Sequence, residues 1–281
     1  MLSEYIKVLE LGDKSVHTIR SYKRSIKTLY GHFNITENSQ LDGLSVSDFH
    51  KLYMAQKLSP NSLNGLIRNL NAYFVWLTDS GYIKEGNLIF KVKFGKSRFV
   101  RVKRKPKKVL TNQESESLVS AGRNKQEKFM LALMVTTGLR RDEVSKIKTE
   151  DINGSEIIIT GKGGDQRFTY MNDMVMSMFN DYVENERDTT SEFLFYGTRG
   201  ESTVDGGVSP TSINERVKSC AEIAGLSDVT AHRLRATAIT QATLEFGIKG
   251  GQILAGHADI KTTELYVNIG KEYVREMLLG K

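Results

Sequence analysis

The sequence predicts a mainly α-helical protein with one small antiparallel β-sheet, divided into two domains. Apolar residues recur at helical spacing through most of the first hundred residues. The stretch 96–108 lacks this periodicity, contains a proline and is rich in charge, as expected of an interdomain linker. Farther along, two β-rich runs flank a glycine-rich turn at 161–166. We therefore expect a helical domain at 1–95, the linker at 96–108 and a second domain at 109–281.

Serine and proline residues predict where the helices of the first domain begin. Ser15 is a candidate N-cap for an amphipathic helix, and Ser47 is a candidate N-cap for a shorter one, DFHKLYMAQ. Ser59-Pro60 combines an N-cap with proline at the first helical position, and Gly81 suits the end of that third helix.

The second domain is predicted to be helical around a small sheet. Thr111 and Glu114 have the spacing of a capping box, and a strongly apolar helix follows at 126–136. Strands are expected at 156–160 and 167–171. Three further helices are predicted at 173–186, 211–224 and 231–246, with Gly225 and Gly247 at the ends of the last two.

Composition excludes several classes of protein. The single cysteine, Cys220, rules out an internal disulfide framework or a cysteine-based zinc site, and we expect it to be a small packing residue. The first ten residues have no signal-peptide core, and no apolar run approaches the roughly 18 residues of a membrane span. A protein of the reducing cytoplasm is the expectation.

The charge is distributed unevenly. Residues 1–108 contain 20 Lys and Arg against 8 Asp and Glu, whereas residues 109–281 contain 20 against 25. A basic first half favours a grip on a polyanion, with a lysine-rich solubilising surface as the alternative. The polar face of the helix that begins at Pro60, which includes Arg68, is expected either to contact nucleic acid or to be solvated.

The linker at 96–108 concentrates this charge, since it has eight basic residues and no acidic one. We expect it to lie along a phosphate backbone, with a flexible basic tether as the alternative. Its basic residues are Lys96, Arg98, Arg101, Lys103, Arg104, Lys105, Lys107 and Lys108.

Several charged residues could act on a phosphate group. His232 and Arg235 are three residues apart and share a face of the predicted helix. A guanidinium matches the geometry of a phosphate, although a structural salt bridge would use the same pair of residues. Arg140 follows the end of the apolar helix, and Glu143 could either orient its guanidinium or be a surface partner.

Three further residues complete this candidate set. Lys162 lies at the tip of the glycine-rich turn and could deliver a proton, or it could be an exposed turn lysine. His257 could donate a hydrogen bond to a phosphate or fill a structural role. Tyr266 could be a nucleophile if nearby cations favour its phenolate, whereas most tyrosines are packing residues.

In conjunction and in this order, these residues resemble the catalytic set of the tyrosine recombinase (phage integrase) family. The matching motifs are Thr-Gly-Leu-Arg with Glu143, the lysine of a glycine-rich β-turn, His-x-Leu-Arg-x-Thr, and Leu-Ala-Gly-His ahead of Thr-Thr-x-x-Tyr. The resemblance covers residues 108–281 through these motifs and residues 1–95 more loosely, as a helical core-binding (SAM-like) DNA-binding domain. It implies a two-domain recombinase fold with a catalytic domain at 109–281.

The resemblance also implies a mechanism. Tyr266 would attack the scissile phosphate of duplex DNA and form a 3′-phosphotyrosyl intermediate. Arg140 and Arg235 would hold the non-bridging oxygens, and Lys162 would protonate the leaving oxygen. His232 would assist as base or hydrogen-bond donor, and His257 would bind the phosphate. Neither a metal nor another cofactor is expected, because the covalent step conserves the bond energy.

The family implies a tetramer on a specific DNA site. The apolar C-terminal segment at 267–281 is expected either to dock on a neighbouring subunit or to pack on its own domain. Such an enzyme would integrate, excise or resolve a mobile element or replicon. A DNA-relaxing enzyme of the type IB topoisomerase kind and a non-catalytic DNA-binding protein are the alternatives. The length and the Leu-Ala-Gly-His motif argue against the first, and the presence of Tyr266 argues against the second.

Overall fold

The protein is described here from a computed structural model, which places residues 2–37, 39–84, 91–94, 96–102, 109–161, 166–187, 190–197, 203–204 and 206–256. The chain divides into two compact units, Met1–Arg104 and Lys105–Lys281. Among the helices in these described ranges, none has the length and apolar character needed to cross a membrane.

The first unit is a bundle of helices in its described part. Helices α1 and α5 both pack on α2. The predicted N-caps at Ser15 and Ser59 are present. The helices are α1 (Leu2–Leu11), α2 (Val16–Phe33), α3 (Ser39–Asp42), α4 (Val46–Ala55) and α5 (Pro60–Asp79).

The predicted cap of α4 was wrong by two residues. The N-cap is Ser45, whose hydroxyl accepts a hydrogen bond from the backbone N–H of Asp48, while the Asp48 carboxylate accepts one from the backbone N–H of Ser45. This reciprocal capping box needs an acidic or amide side chain three residues after the cap. Ser47 has His50 at that position, so it cannot form the same pair.

Aromatic side chains dominate the core of the first unit. Tyr73 stacks on Trp76 with ring centroids 5.9 Å apart, and Tyr5 of α1 lies 5.0 Å from the Trp76 ring. Phe49 of α4 meets Phe74 edge to face. These contacts join α1, α4 and α5 in one buried cluster, which also contains Ile26 and Leu29 of α2.

The second unit combines six helices with two small sheets in its described part. The predicted capping box of Thr111 and Glu114 is present. The helices are α6 (Asn112–Ser120), α7 (Lys125–Thr137), α8 (Arg141–Val144), α9 (Asp173–Asn185), α10 (Pro210–Ile223) and α11 (Ala231–Ala255). The strands are β1 (Ile152–Asn153), β2 (Glu156–Thr160), β3 (Gln166–Tyr170), β4 (Thr203–Val204) and β5 (Gly207–Val208).

Helix α7 is the centre of the second unit. Every residue from Phe129 to Val135 is buried, and α6, α9 and α11 pack around the helix. A helix that is apolar on all sides is stable only when neighbours cover its whole surface. The position of its C-terminal end, which leads into Arg140, is therefore fixed by packing from several directions.

The strands β1, β2 and β3 form an antiparallel sheet in that order. Ile157 and Ile159 of β2 are buried, while Ile158 between them is on the opposite face and only half-buried, as the two-residue period of a strand requires. Thr160 pairs with Gln166 at the end of the β2–β3 ladder. This pair fixes the base of the hairpin that the sequence predicts around Lys162.

Helix α11 does not end at 246 as predicted. At Gly247 the backbone leaves the helical conformation, with φ 71° and ψ 178°, and a second helical segment then continues to Ala255. This backbone region is accessible essentially only to glycine. The sequence pattern correctly marked a break at Gly247, but the return to helix depends on packing of the second segment against the first, where Gly251 lies on Thr243.

Candidate active site

Glu143 holds Arg140 at both its backbone and its side chain. Arg140 is the N-cap residue of α8, and its backbone N–H donates to Glu143 Oε2 at 2.7 Å. The Arg140 Nη1 atom donates to Glu143 Oε1, also at 2.7 Å. The Glu143 side chain is only 10% exposed, whereas that of Arg140 is 47% exposed. Glu143 is therefore a buried anchor, and the guanidinium that it orients is open to a ligand.

Arg167 also binds Glu143 and was not singled out from the sequence. Its Nη2 atom donates to Glu143 Oε2 at 2.8 Å from the start of β3. Its Nη1 atom is buried and has no hydrogen-bond partner among the described residues. A buried donor left unpaired costs on the order of 1–3 kcal/mol. Burial lowers the pKa of Arg167, and the ion pair with Glu143 opposes this effect.

The only sequence signal for Arg167 was an arginine at the start of a predicted strand. Its partner, Glu143, lies 24 residues away in the chain. A contact of this separation cannot be read from local spacing. The Arg140, Glu143 and Arg167 side chains together have one uncompensated positive charge, which favours binding of an anion beside Arg140.

Arg235 lies in the interior and connects two chain segments. Its side chain is on the first segment of α11 and is 4% exposed. Nη1 donates to the carbonyl of Gly138 at 2.5 Å, and Nη2 donates to the carbonyl of Ala255 at 2.7 Å. Both carbonyls are at the C-terminal ends of helices, where the backbone has partial negative charge. Arg235 thus holds the chain just before Arg140 next to the chain just before His257.

His232 lies in the first turn of α11, one turn before Arg235, and is exposed. The helix begins at an N-cap, Thr230, whose side chain accepts from the backbone N–H of Arg233. Thr237 further fixes this part of α11, because its hydroxyl accepts from the backbone N–H of Leu110. His232 therefore has a fixed backbone and an accessible ring.

Lys162, His257 and Tyr266 lie outside the described residues, as does the segment 267–281. Their described neighbours nevertheless reach the same region. Thr160 and Gly161 line a cavity of about 120 Å³ together with Glu143, next to the base of the hairpin. Gly256 lies against the side chain of Arg167. The chain thus enters the segment 162–165 beside Glu143 and the segment after Gly256 beside Arg167.

The basic face of α2 was not predicted from the sequence, although its residues follow the same helical periodicity as the apolar residues of that helix. Four exposed basic residues recur there at spacings of three and four, and α2 contains no acidic residue. They line a surface groove of about 430 Å³ with Thr28. A single-sign groove of this kind concentrates an anionic ligand. The four residues are Arg20, Lys23, Arg24 and Lys27.

The first part of the basic linker is fixed against α5. The backbone N–H of Val100 donates to Asn64 Oδ1 at 2.8 Å, and Asn64 Nδ2 donates to the Val100 carbonyl at 2.9 Å. Phe99 packs on the core of the first unit. These contacts leave three basic residues exposed, Lys96, Arg98 and Arg101, whereas Lys103, Arg104, Lys105, Lys107 and Lys108 lie outside the described residues.

Part of the polar face of α5 makes hydrogen bonds inside the first unit, whereas the sequence predicted that this face would contact nucleic acid or be solvated. The Asn69 side chain donates to the hydroxyls of Ser21 and Ser25 on α2. Arg68 is exposed, and its Nε atom donates to the Asn64 carbonyl at 3.3 Å. Asn64 and Asn69 therefore position the linker and α2, and Arg68 stays available at the surface.

Solved structures of DNA recombinases have the same fold. The chain is similar to the XerH site-specific recombinase solved with a palindromic difH substrate, with a TM-score of 0.76 and 18% identity over 99% of this chain and 83% of that one. It is also similar to a lambda integrase dimer solved on a COC′ core site, with a TM-score of 0.74 and 18% identity over 94% and 93% of the two chains. The predicted fold class is confirmed.

Sequence comparison gives the family. Residues 108–272 match the model of the phage integrase family. The chain is 30% identical to the tyrosine recombinase XerA of the archaeon Pyrococcus horikoshii, over 99% of this chain and 92% of that protein. It is 25% identical to XerC of the bacterium Xanthomonas campestris, over 94% and 82%. The chain belongs to the phage integrase family, and its enzymatic class is that of a tyrosine-type site-specific DNA recombinase.

Proposed function

We propose that this protein cleaves and rejoins duplex DNA at a specific site through a 3′-phosphotyrosyl intermediate, with Tyr266 as the nucleophile. The observation that carries the proposal is the network in which Glu143 fixes Arg140 while Arg235 links the Gly138 and Ala255 carbonyls. This network supports two guanidiniums near the start of the segment that contains His257 and Tyr266. Preorganised cations of this kind stabilise the charge of a phosphoryl-transfer transition state.

In the proposed reaction the Tyr266 phenolate attacks the scissile phosphorus while the bond from phosphorus to the 5′-oxygen breaks. Lys162 gives a proton to the leaving 5′-oxygen, and the phosphate remains on the tyrosine. Arg140 and Arg235 hold the non-bridging oxygens, and His257 donates a hydrogen bond to the phosphate. His232 either accepts the phenolic proton of Tyr266 as a base or assists as a hydrogen-bond donor. Attack by a 5′-hydroxyl of another strand reverses these steps and restores the phosphodiester.

The first unit provides the DNA grip in this proposal, as a core-binding domain. The basic face of α2 and the exposed residues Arg68, Lys96, Arg98 and Arg101 supply cations for phosphate contacts. The second unit is the catalytic domain, and the basic segment through residue 108 joins the two. Such a division matches the basic first half and mildly acidic second half of the sequence.

One solved structure of lambda integrase is a tetramer bound to a Holliday junction. We extend this assembly to the present chain, with four copies on two duplexes and the segment 267–281 as the contact between neighbours. The biological role is integration, excision or resolution of a mobile element or replicon in the cytoplasm. The relatives named above come from an archaeon and a bacterium, which agrees with such a setting.

The test begins with sheared DNA from the source organism. The full chain is incubated with the fragments and denatured with detergent, and fragments that remain attached to protein are sequenced to find the cleavage site. A duplex of that site with a nick beside the scissile phosphate then traps the intermediate. Wild type should form a detergent-resistant adduct and Tyr266→Phe should not. An inactive wild type, or an adduct that survives the substitution, contradicts the proposal.

A further inference from the structure

We infer that Arg167 is a positioning residue for cleavage, which acts through Glu143 on Arg140. The inference rests on the proposed function, because it assigns Arg140 to the scissile phosphate. Arg167 is the second residue of β3, at the base of the hairpin that contains Lys162. Its role follows from three features of the surroundings of its guanidinium.

The first is the division of one carboxylate between two guanidiniums. Glu143 Oε2 accepts both Arg167 Nη2 at 2.8 Å and the backbone N–H of Arg140 at 2.7 Å, while Oε1 accepts Arg140 Nη1. Three donors therefore fix the carboxylate in one orientation. Removal of Arg167 would leave Glu143 free to turn about its remaining hydrogen bonds and would let the Arg140 guanidinium move with it.

The second feature is the net charge of the group formed by Arg140, Glu143 and Arg167. With Arg167 present, the two guanidiniums and one carboxylate have a net charge of one positive unit. Without Arg167, Glu143 would neutralise Arg140 completely, and the attraction of the pair for a phosphate would fall. Arg167 thus allows a buried carboxylate to orient Arg140 without cancelling its charge. A residue that only braced the sheet would have no such effect.

The third is the packing of Arg167 on the turn before His257. A Cβ atom on Gly256 would lie 2.7 Å from both Cδ and Nε of Arg167, so the arginine side chain lies directly on the glycine backbone. Gly256 has φ 58° and ends the second segment of α11. Arg167 therefore joins three positions, the hairpin base, the Arg140 turn and the start of the His257 segment.

The central experiment measures single-turnover cleavage of the nicked duplex by the full chain. Arg167→Gln should slow adduct formation about 10- to 100-fold, the size of effect expected from a small misplacement of a catalytic group. DNA affinity should stay within about threefold of wild type, because the scissile phosphate is only one of the phosphates that the duplex presents to the protein, and Arg167 itself is largely covered. Arg167→Lys keeps the charge and should recover part of the rate. Arg141→Gln is the matched control, since Arg141 is exposed and pairs only loosely with Asp142 at 3.7 Å.

A double-mutant cycle with Glu143→Gln separates positioning from general support. If Arg167 acts through Glu143, adding Arg167→Gln to Glu143→Gln should slow cleavage by less than about threefold. Independent effects that multiply would overturn the inference, and so would an Arg167→Gln rate within about threefold of wild type. If Arg167→Gln does not fold, as judged by circular dichroism, the cycle is run with Arg167→Lys.

Failure of the proposed function and failure of the inference give different results. A wild type that forms no adduct with any DNA would remove the proposed function, and the inference with it. A wild type that cleaves, together with a Tyr266→Phe variant that does not, would establish the chemistry. Under those conditions a normal rate for Arg167→Gln would contradict the inference alone.

Discussion

Two arginines near the candidate site, Arg235 and Arg167, bind partners that lie far away in the chain. Arg235 binds the carbonyl of Gly138, 97 positions away, and Arg167 binds Glu143, 24 positions away. The residue types and their order along the chain were enough to predict four candidates: Arg140, Glu143, His232 and Arg235. It could not predict Arg167, because nothing in its immediate neighbourhood distinguishes it from an ordinary strand residue.

Cys220 gives a prediction at this scale. Its thiol is buried and donates to Glu127 Oε2 at 3.6 Å, and burial together with the Glu127 charge raises the pKa of Cys220 to about 11. Because the thiolate is the reactive form, a shift of about two units from the ordinary value leaves roughly 100-fold less of it in mildly alkaline solution. A thiol-reactive chromophore should label the folded chain at least that much more slowly than the urea-unfolded chain.

The control for this labelling is Cys220→Ser, which should not react in either state, since the chain has no other cysteine. Rapid labelling of the folded wild type would show that the thiol is accessible. That result would contradict the buried position of Cys220 on α10.

Among the helices and strands, local signals predicted most of the described boundaries to within one or two residues. Caps at Ser15, Ser59 and Thr111 were correct because each depends on a side chain and a backbone group within three residues. Helices α1, α3 and α8 and strands β1, β4 and β5 were not predicted. Apart from α1, each of these elements has at most four residues, too few to show a periodicity of its own.

The corrected cap of α4 predicts a difference between two neighbouring serines. Ser45→Ala should lower the free energy of unfolding by about 1 kcal/mol, because the N–H of Asp48 would have no side-chain acceptor. Ser47→Ala, the matched control, should change it by less than about 0.5 kcal/mol. Urea unfolding followed by fluorescence of Trp76, the only tryptophan, reports on this unit. Equal effects of the two substitutions would contradict the assigned cap.

The break in α11 predicts an unusual demand for glycine at Gly247. A side chain is strongly disfavoured at φ 71° and ψ 178°, so Gly247→Asn should cost about 1–3 kcal/mol of stability. Gly154→Asn is the control, because asparagine tolerates the left-handed region and the space around Gly154 is open. Thermal unfolding followed by circular dichroism measures both. A tolerated Gly247→Asn would mean that the chain does not turn there.

For the whole molecule, the sequence predicted the difference in net charge between the two halves. It did not predict how the charged side chains are arranged on the surface. The basic linker is evident in the sequence because its charges lie close together in the chain. The basic face of α2 is more dispersed in sequence and becomes continuous only when the helix brings Arg20, Lys23, Arg24 and Lys27 to one side. We expect this face to bind phosphates of the DNA backbone.

Salt dependence of DNA binding tests that expectation. Replacement of Arg24 and Lys27 by glutamine should reduce the slope of log affinity against log salt by about 0.9 for each phosphate that is no longer bound, or roughly 2 in all. Replacement of Lys7 and Lys14, also exposed in the first unit, removes the same charge and should leave the slope nearly unchanged. Equal slopes for the two double variants would remove α2 from the DNA interface.

The most direct test of covalent catalysis by Tyr266 is the identity of the residue that becomes attached to DNA. The trapped adduct is digested with nuclease and trypsin, and the peptides are sequenced by mass spectrometry. We predict a nucleotide linked through its 3′-phosphate to Tyr266, in the tryptic peptide Thr262–Lys271. A nucleotide on any other residue, or attachment through a 5′-phosphate, would contradict the proposed mechanism.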